Sequence, residues 1–200
     1  TSTLGNNGMF VGLTGGFGTL RAGRPVNVLW NNTLVANSTK GVSLHDSASV
    51  LGGADATITT NSAGPFTALT KSGGAPSAVY VSNAIQYFSP SFGGLQVQLE
   101  YAPSESTAAA AQDGFGVGVS YASGPINLSF TNYKSAAPTK IKAVNQLAAA
   151  YDFGVARVLF TYRDQGGLAS DADTSYALGL TAPVGPGSAY VSYNVNEQVG

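Results

Sequence analysis

The residues that could perform chemistry are few in this chain, and they are widely spaced. His45 is the only histidine, so a histidine-based metal site or a Ser–His–Asp triad would depend on it entirely. It stands beside Asp46 in a long polar stretch, where a merely solvated side chain is favoured over a catalytic or metal-binding one. The chain has no cysteine, which excludes disulfides and thiolate metal sites.

Two short motifs suggest chemistry only when taken in isolation. Residues 152–154 read Asp-Phe-Gly, as in a kinase metal motif, but no glycine-rich phosphate loop or catalytic loop accompanies them. Residues 170–173 read Ser-Asp-Ala-Asp, which is too few ligands for a calcium site. We therefore predict a tight turn at the first motif and a solvated loop at the second. We predict no catalytic residues, no metal site and no cofactor.

Composition narrows the class of protein. Only 10% of the 200 residues are charged, against about 25% in an ordinary soluble domain. The mean hydropathy is only +0.09, and no apolar run is as long as the roughly 18 residues that a membrane-spanning helix needs. The formal net charge of −1 offers no basic stripe for nucleic acid. The chain is too weakly charged for an ordinary soluble domain and too polar for a helical membrane protein.

Alternation with a period of two residues is the dominant pattern, and no segment of comparable length shows a helical period. The alternation predicts ten strands, at residues 9–14, 18–24, 83–88, 95–101, 114–121, 126–133, 144–151, 156–163, 174–182 and 189–195. Short turns and longer polar loops alternate between them. That layout is typical of an up-and-down barrel crossing a membrane, with turns at one rim and loops at the other.

The two faces of the predicted strands differ in polarity. In residues 94–101, Leu and Val alternate with Gln and Glu, and a membrane barrel would place the apolar side against lipid and the polar side in a water-filled lumen. Three mid-strand charges, Arg21, Glu100 and Arg157, fall on the polar face. A Lys or Arg on the lipid face at the midplane would cost about 2–4 kcal/mol. Arg24 is out of phase with Arg21, for which a bulge at Gly23 would account.

Aromatic side chains near the ends of the strands indicate the boundaries of the membrane. Tyrosines on the apolar face, Tyr101, Tyr121, Tyr151 and Tyr162, lie close to strand ends. Amphipathic rings favour the depth at which hydrocarbon meets headgroups. The β-propensity of tyrosine offers a simpler explanation. The fold class predicted is all-β, a transmembrane antiparallel up-and-down barrel.

Four blocks of sequence resemble the general porins of β-proteobacteria. They are FVGLTGGFGTLRAGR (10–24), SNAIQYFSPSFGGLQVQLEYA (82–102), YDFGVARVLFTY (151–162) and SYALGLTAPVG (175–185). The resemblance implies a trimeric barrel of about sixteen strands in the outer membrane, in contact with lipid and lipopolysaccharide. It implies passive diffusion of small hydrophilic solutes and ions. It also implies that residues 25–82 are mostly an inward loop that narrows the channel.

The resemblance also implies roles for individual residues. Wall arginines face acidic or carbonyl groups on the inward loop in such porins, which selects Arg21 and Arg24 on the wall and Asp46 and Asp55 on the loop. Some anion-selective relatives carry further arginines where this chain has Asn7, Gly8 and Tyr80, which argues against strong anion selectivity. The complete set of predicted pore-lining residues is Arg21, Arg24, Asp46, Asp55, Glu100, Arg157 and Arg163.

Two other classes of protein fit part of the pattern. One is a complete ten-stranded outer-membrane enzyme, such as a surface protease or lipase, because ten is an allowed strand number for a barrel. The other is a soluble β-rich adhesin or capsid-like protein, which would need a more highly charged surface. In a ten-stranded fragment, the open edges would expose unpaired backbone groups to lipid. We therefore expect residues 1–200 to form one barrel domain that is incomplete at both ends.

Overall fold

Ten antiparallel strands and one short helix make up the described part of the chain. The computed structural model describes residues 8–36, 80–107, 109, 111–134, 136, 143–165 and 173–198. The strands are β1 (Met9–Gly15), β2 (Gly18–Arg24), β3 (Ala84–Phe88), β4 (Leu95–Ala102), β5 (Gly114–Ser123), β6 (Ile126–Lys134), β7 (Val144–Asp152), β8 (Arg157–Gln165), β9 (Asp173–Val184) and β10 (Gly187–Gln198). The helix, α1 (Val28–Thr33), is followed by a 3₁₀ turn at Leu34–Ala36.

Each strand pairs only with its neighbours along the chain. The sheet runs in the order β1 to β10 without a crossover, and every pairing is antiparallel. Among the described strands, β1 and β10 form the two edges of an open sheet. The predicted all-β class, the number of strands and the up-and-down order are confirmed.

The register brings like side chains onto the same face. Gln98 on β4 lies opposite Gly118 on β5, which lies opposite Thr131 on β6, and all three point to the concave inner face. At the adjacent positions of the same strands, apolar side chains such as Leu99 and Phe130 are exposed on the outer face. The predicted inversion is therefore present, with apolar groups outside and polar groups inside.

Connections alternate in length, as the sequence predicts. The turns at residues 16–17, 124–125 and 185–186 contain two residues each. Much longer connections join β2 to β3, β4 to β5, β6 to β7 and β8 to β9. The first turn requires glycine at its exit, because Gly18 has a φ of +108° and a Cβ there would lie 2.2 Å from the Phe88 carbonyl oxygen.

Aromatic side chains gather at both ends of the outer face. At the end with the long loops, Tyr162 lies directly opposite Tyr176. At the end with the tight turns, the rings of Tyr151 and Phe153 have centroids 4.5 Å apart. This placement agrees with an aromatic girdle at each membrane boundary.

One long connection is fastened where it returns to the sheet. The Asp113 carboxylate accepts hydrogen bonds from the Ser104 backbone N–H and the Tyr101 hydroxyl, both at 2.9 Å. These two donors hold the pKa of Asp113 below its usual value. The loop between β4 and β5 is thereby tied to the strand end from which it leaves.

The helix α1 was not anticipated from the sequence. Its six residues, VLWNNT, contain β-branched and asparagine side chains that have low helix propensity. The Asn27 side chain caps the first turn by accepting from the Trp30 N–H at 2.7 Å. Of the helices in the described ranges, none has the length and hydropathy needed to cross a membrane.

The assignment of the two faces can be tested at neighbouring positions on β5. Val119 lies on the outer face and Ser120 on the inner face. We expect Val119→Lys to lower the free energy of unfolding in lipid vesicles by about 2–4 kcal/mol, because the ammonium would enter hydrocarbon. Ser120→Lys serves as the control and should have a much smaller effect in the same guanidinium titration. Equal effects of the two substitutions would contradict the assignment.

Candidate functional site

A segment of chain enters the concave side of the sheet directly after β2. We call residues 25–36 the inward segment. Its helix α1 packs on β4, β5, β6 and β7, and its 3₁₀ turn packs on β6, β7 and β8. Side chains on the side that meets the wall are almost completely buried, including Val28, Leu29 and Thr33. The inward segment therefore occupies space that a plain barrel would leave to water.

The Glu100 carboxylate anchors the start of the inward segment. Its Oε2 accepts from the Val28 backbone N–H at 2.9 Å and from the Gln86 side-chain amide at 2.7 Å. The same Gln86 amide donates to the Val26 carbonyl at 2.6 Å. Tyr133 adds an interaction between its hydroxyl and the carboxylate. These buried contacts satisfy a free helical N–H and a carbonyl of the inward segment with groups from the wall.

Asn32 anchors the middle of the inward segment to two strands, β4 and β6. Its amide donates to the Thr131 hydroxyl at 2.8 Å, and its side-chain oxygen accepts from the Gln98 amide at 3.1 Å. Its backbone carbonyl accepts from the Ser129 hydroxyl at 3.0 Å. Both polar ends of the side chain and the carbonyl are satisfied by the wall, so the position of α1 is specified by directional contacts.

Two arginines hold the end of the inward segment. Arg163 donates to the Gln146 side-chain oxygen at 3.0 Å and to the Thr33 hydroxyl at 3.3 Å. Arg157 donates to the Val35 carbonyl at 2.9 Å. Carbonyls at the end of a short helix lack intrahelical hydrogen-bond donors, and a cationic side chain can supply the missing donor.

Apolar contacts and one glycine complete the fit between the inward segment and the wall. Leu29 packs with Tyr133 and Val144 in one buried cluster. A Cβ at Gly118 would lie 2.4 Å from the Asn32 amide nitrogen and 2.9 Å from Val28 Cγ1. The lack of a side chain at Gly118 leaves the depression in the wall that receives α1.

Arg21 and Arg24 lie on the part of the wall that the inward segment leaves open. Arg21 is opposite Gln86 in the sheet, and its guanidinium lies over the rings of Phe10 and Phe88. Arg24 donates to the Ser82 hydroxyl and lies over the ring of Tyr80, where the chain returns towards β3. The two arginines thus stand at the start and the return of the long connection.

The bulge expected at Gly23 is not found. The register between β1 and β2 runs without interruption from Gly18 to Arg24. Gly23 instead has a φ of +135°, and a Cβ there would lie 2.5 Å from the Met9 carbonyl oxygen. A change of backbone direction in the left-handed region, which glycine tolerates, replaces the extra residue.

The structure brings three of the predicted pore-lining residues together beneath the inward segment. Glu100 and Arg163 are only 2% and 4% exposed, so they contact the inward segment more than open lumen, and Arg157 is partly exposed. Asp46 and Asp55, and His45 beside them, lie outside the described residues. Within the described ranges no group of three His, Cys, Asp or Glu side chains could hold a metal ion.

Several functional residues were missed by the sequence analysis. They are neutral polar side chains of the inner face and of the inward segment, namely Gln86, Gln98, Thr131, Gln146 and Asn32. A signal for the wall residues was available, because each occupies a polar mid-strand position in the alternation. Only charged residues were selected as pore-lining from the sequence, so these neutral side chains were missed.

The fit around Gly118 generates a prediction that uses a natural reporter. Trp30, the only tryptophan of the chain, lies within α1. We expect Gly118→Ala to displace α1, because its Cβ would collide with Asn32, and to weaken docking of the inward segment by about 1–3 kcal/mol as hydrogen bonds are lost. Acrylamide quenching of Trp30 should then increase. Val117→Ala, on the outer face, is the control; unchanged quenching in both variants would refute the fit.

The Glu100 anchor can be tested with an isosteric change. Glu100→Gln places an amide where one oxygen accepts two hydrogen bonds, so we expect a loss of about 1–3 kcal/mol in docking. The measurement is again quenching of Trp30, together with protease sensitivity between β2 and β3. Glu105→Gln removes the same charge from an exposed loop position and should leave both signals unchanged. An equal response of the two variants would show that loss of charge in general is responsible.

Comparisons with known proteins agree with this geometry. The family profile described as Gram-negative porin matches residues 1–200. Among solved structures, the chain resembles an anion-selective porin from Comamonas acidovorans, with a TM-score of 0.70, 24% identity, and coverage of 94% of this chain and 56% of that one. It also resembles a loop L8 deletion mutant of OmpT, an outer membrane protein of Vibrio cholerae, with a TM-score of 0.56, 14% identity, and coverage of 94% and 62%.

These comparisons differ in what they establish. No curated protein sequence gives a significant match. The structural similarities, at low identity, establish the fold, and the chain spans little more than half the length of the two neighbours. The family profile covers the whole chain, and its match agrees with the inverted polarity of the sheet. The chain therefore belongs to the Gram-negative porin family of outer-membrane β-barrel proteins.

Proposed function

We propose that the protein is a passive diffusion channel that lets small hydrophilic solutes and ions cross the outer membrane. The observation that carries the proposal is the inward segment docked on a polar inner face. Polar groups such as Gln98 and Thr131 line the concave side, and α1 narrows the space beside them. A narrowed, water-accessible lumen sorts solutes by size, and its charges sort them by sign.

The open edges of the sheet support a larger assembly. Unpaired backbone groups on β1 and β10 would each cost several kcal/mol in hydrocarbon, so we propose that further strands complete a barrel of about sixteen. Residues 25–82 form its constriction loop in this proposal. Homotrimer formation and contact with lipopolysaccharide at the outer rim belong to the same proposal, since porins generally assemble as trimers.

The distribution of charge supports a modest preference for anions. Arg21 and Arg24 stand on the part of the wall that the inward segment leaves open, whereas the carboxylate of Glu100 is covered by it. A cation beside the lumen raises the local concentration of anions. A carboxylate enclosed by hydrogen-bond partners contributes less to the electrostatic potential in the lumen. One of the structural neighbours is described as anion-selective. Asp46 and Asp55 would oppose the arginines from the loop.

An outer-membrane enzyme is the less favoured alternative. The chain has one histidine, and in the described ranges no acidic or histidine cluster suited to a metal occurs. The Glu100 carboxylate, which an enzyme could use, is already occupied by the Val28 N–H and the Gln86 amide. We therefore propose that no bond is made or broken.

Planar-bilayer recording of the full-length protein across a salt gradient tests the channel and its selectivity. We expect conductance steps in groups of three and a reversal potential of the sign that indicates anion preference. The double variant Arg21→Gln and Arg24→Gln should move the reversal potential towards cation preference, because both charges lie beside the lumen.

Lys134→Gln is the matched control for that measurement. Lys134 lies at the end of β6 opposite Phe115 on the outer face, so its loss should leave the reversal potential unchanged. A protein that inserts into bilayers without conducting would refute the channel and favour the enzyme. A reversal potential that shifts equally in the control would refute the assignment of Arg21 and Arg24.

A further inference from the structure

Arg21 has surroundings unlike those of the other arginines on the concave side. The centre of its guanidinium lies 5.1 Å from the centroid of the Phe10 ring and 4.7 Å from that of the Phe88 ring. The sheet register explains the arrangement, because Phe10 and Phe88 are the diagonal neighbours of Arg21 on the two adjacent strands. Two aromatic rings therefore hold one guanidinium on the lumen wall.

A gap in the wall lets the arginine lie across the sheet. Gly12 is directly opposite Arg21 on β1. A Cβ on Gly12 would lie 3.4 Å from Arg21 Cγ, so a larger side chain there would compete with the stem for space. The absence of a side chain on Gly12 leaves the way open for Arg21 to reach Phe10.

Among the described residues, none accepts a hydrogen bond from the donors of Arg21. Arg157, Arg163 and Arg24 each donate to a carbonyl or side-chain oxygen. Arg21, by contrast, makes no hydrogen bond with any residue that the structure describes, and its contacts are the two rings. Its guanidinium is therefore positioned by apolar contacts, which leaves its N–H groups for a solute.

This arrangement selects a particular chemistry. A guanidinium presents N–H donors in a planar fork that matches the two oxygens of a carboxylate. The Phe10 side chain is 48% exposed, so its ring remains available to an apolar group attached to that carboxylate. A bare inorganic anion would be attracted by the charge of the guanidinium but would have no apolar group to pack on the Phe10 ring.

Resting on the proposed channel, we infer that Arg21, Phe10 and Phe88 form a binding subsite for organic carboxylates with an aromatic or apolar body. The carboxylate binds the edge of the guanidinium, and the body of the solute packs on Phe10. The subsite concentrates such solutes at the narrow zone and slows chloride while it is occupied. Binding must remain weak enough for release, as conduction requires.

The experiment measures block of the chloride current through the full-length protein by benzoate and by acetate at constant ionic strength. We expect benzoate to reduce the conductance saturably and at lower concentration than acetate. Arg21→Lys keeps the charge but loses the fork, so the half-blocking benzoate concentration should rise by about tenfold. Phe88→Leu should raise it about two- to fivefold, as expected for the loss of one exposed cation–π contact.

Controls separate this inference from the channel itself. Phe92→Leu removes an exposed phenylalanine from the turn before β4 and should leave the block by benzoate unchanged. Emission of Trp30 verifies that each variant retains its docked inward segment, and Phe10→Leu provides a second test of the ring contact. Equal block by benzoate and acetate in a conducting wild-type channel would overturn the subsite and leave the channel intact. Unchanged block in Arg21→Lys would do the same, whereas absence of conductance would refute both proposals.

Discussion

The polar contact between the inward segment and the inner face of β4–β8 is the interaction on which the rest of the structure depends. A segment that enters the lumen covers polar wall groups that water would otherwise solvate, and each group left without a partner would cost about 1–3 kcal/mol. The wall meets most of this constraint with amides, hydroxyls, a carboxylate and arginines that bind backbone and side-chain groups of the segment, although the side-chain oxygens of Gln86 and Gln98 are buried without a partner among the described residues. The same contacts that satisfy the wall also determine where the lumen is narrow.

This constraint divides the charged residues of the concave side into two groups. Glu100, Arg157 and Arg163 bind the inward segment and act through its position. Arg21 and Arg24 lie where the segment leaves the wall uncovered, with aromatic rings beside them. In our proposal the first group shapes the channel and the second sets its field, because a charge enclosed by hydrogen-bond partners contributes less to the potential felt by a passing ion.

Much of the fold could be predicted because the two faces of the sheet differ in polarity, and polar and apolar residues therefore alternate along each strand. The alternation located ten strands, and the lengths of the connections indicated the up-and-down order. The side of the sheet on which Arg21, Glu100 and Arg157 fall could be read from the same period. The helix α1 could not, since its asparagines and β-branched residues have little intrinsic helix propensity and six residues are too few for a stable isolated helix.

The hydrogen-bond partners of the site residues could not be predicted from the sequence for a related reason. Asn32 meets Thr131 across 99 positions and Arg163 meets Thr33 across 130, and no local pattern encodes such separations. The sequence by itself determined the strands, their two faces and the order of the sheet, because alternation and turn chemistry act over a few residues. Only the tertiary structure decided which wall residues anchor the inward segment and which do not, because that depends on where a short helix docks on a curved wall shaped by Gly118.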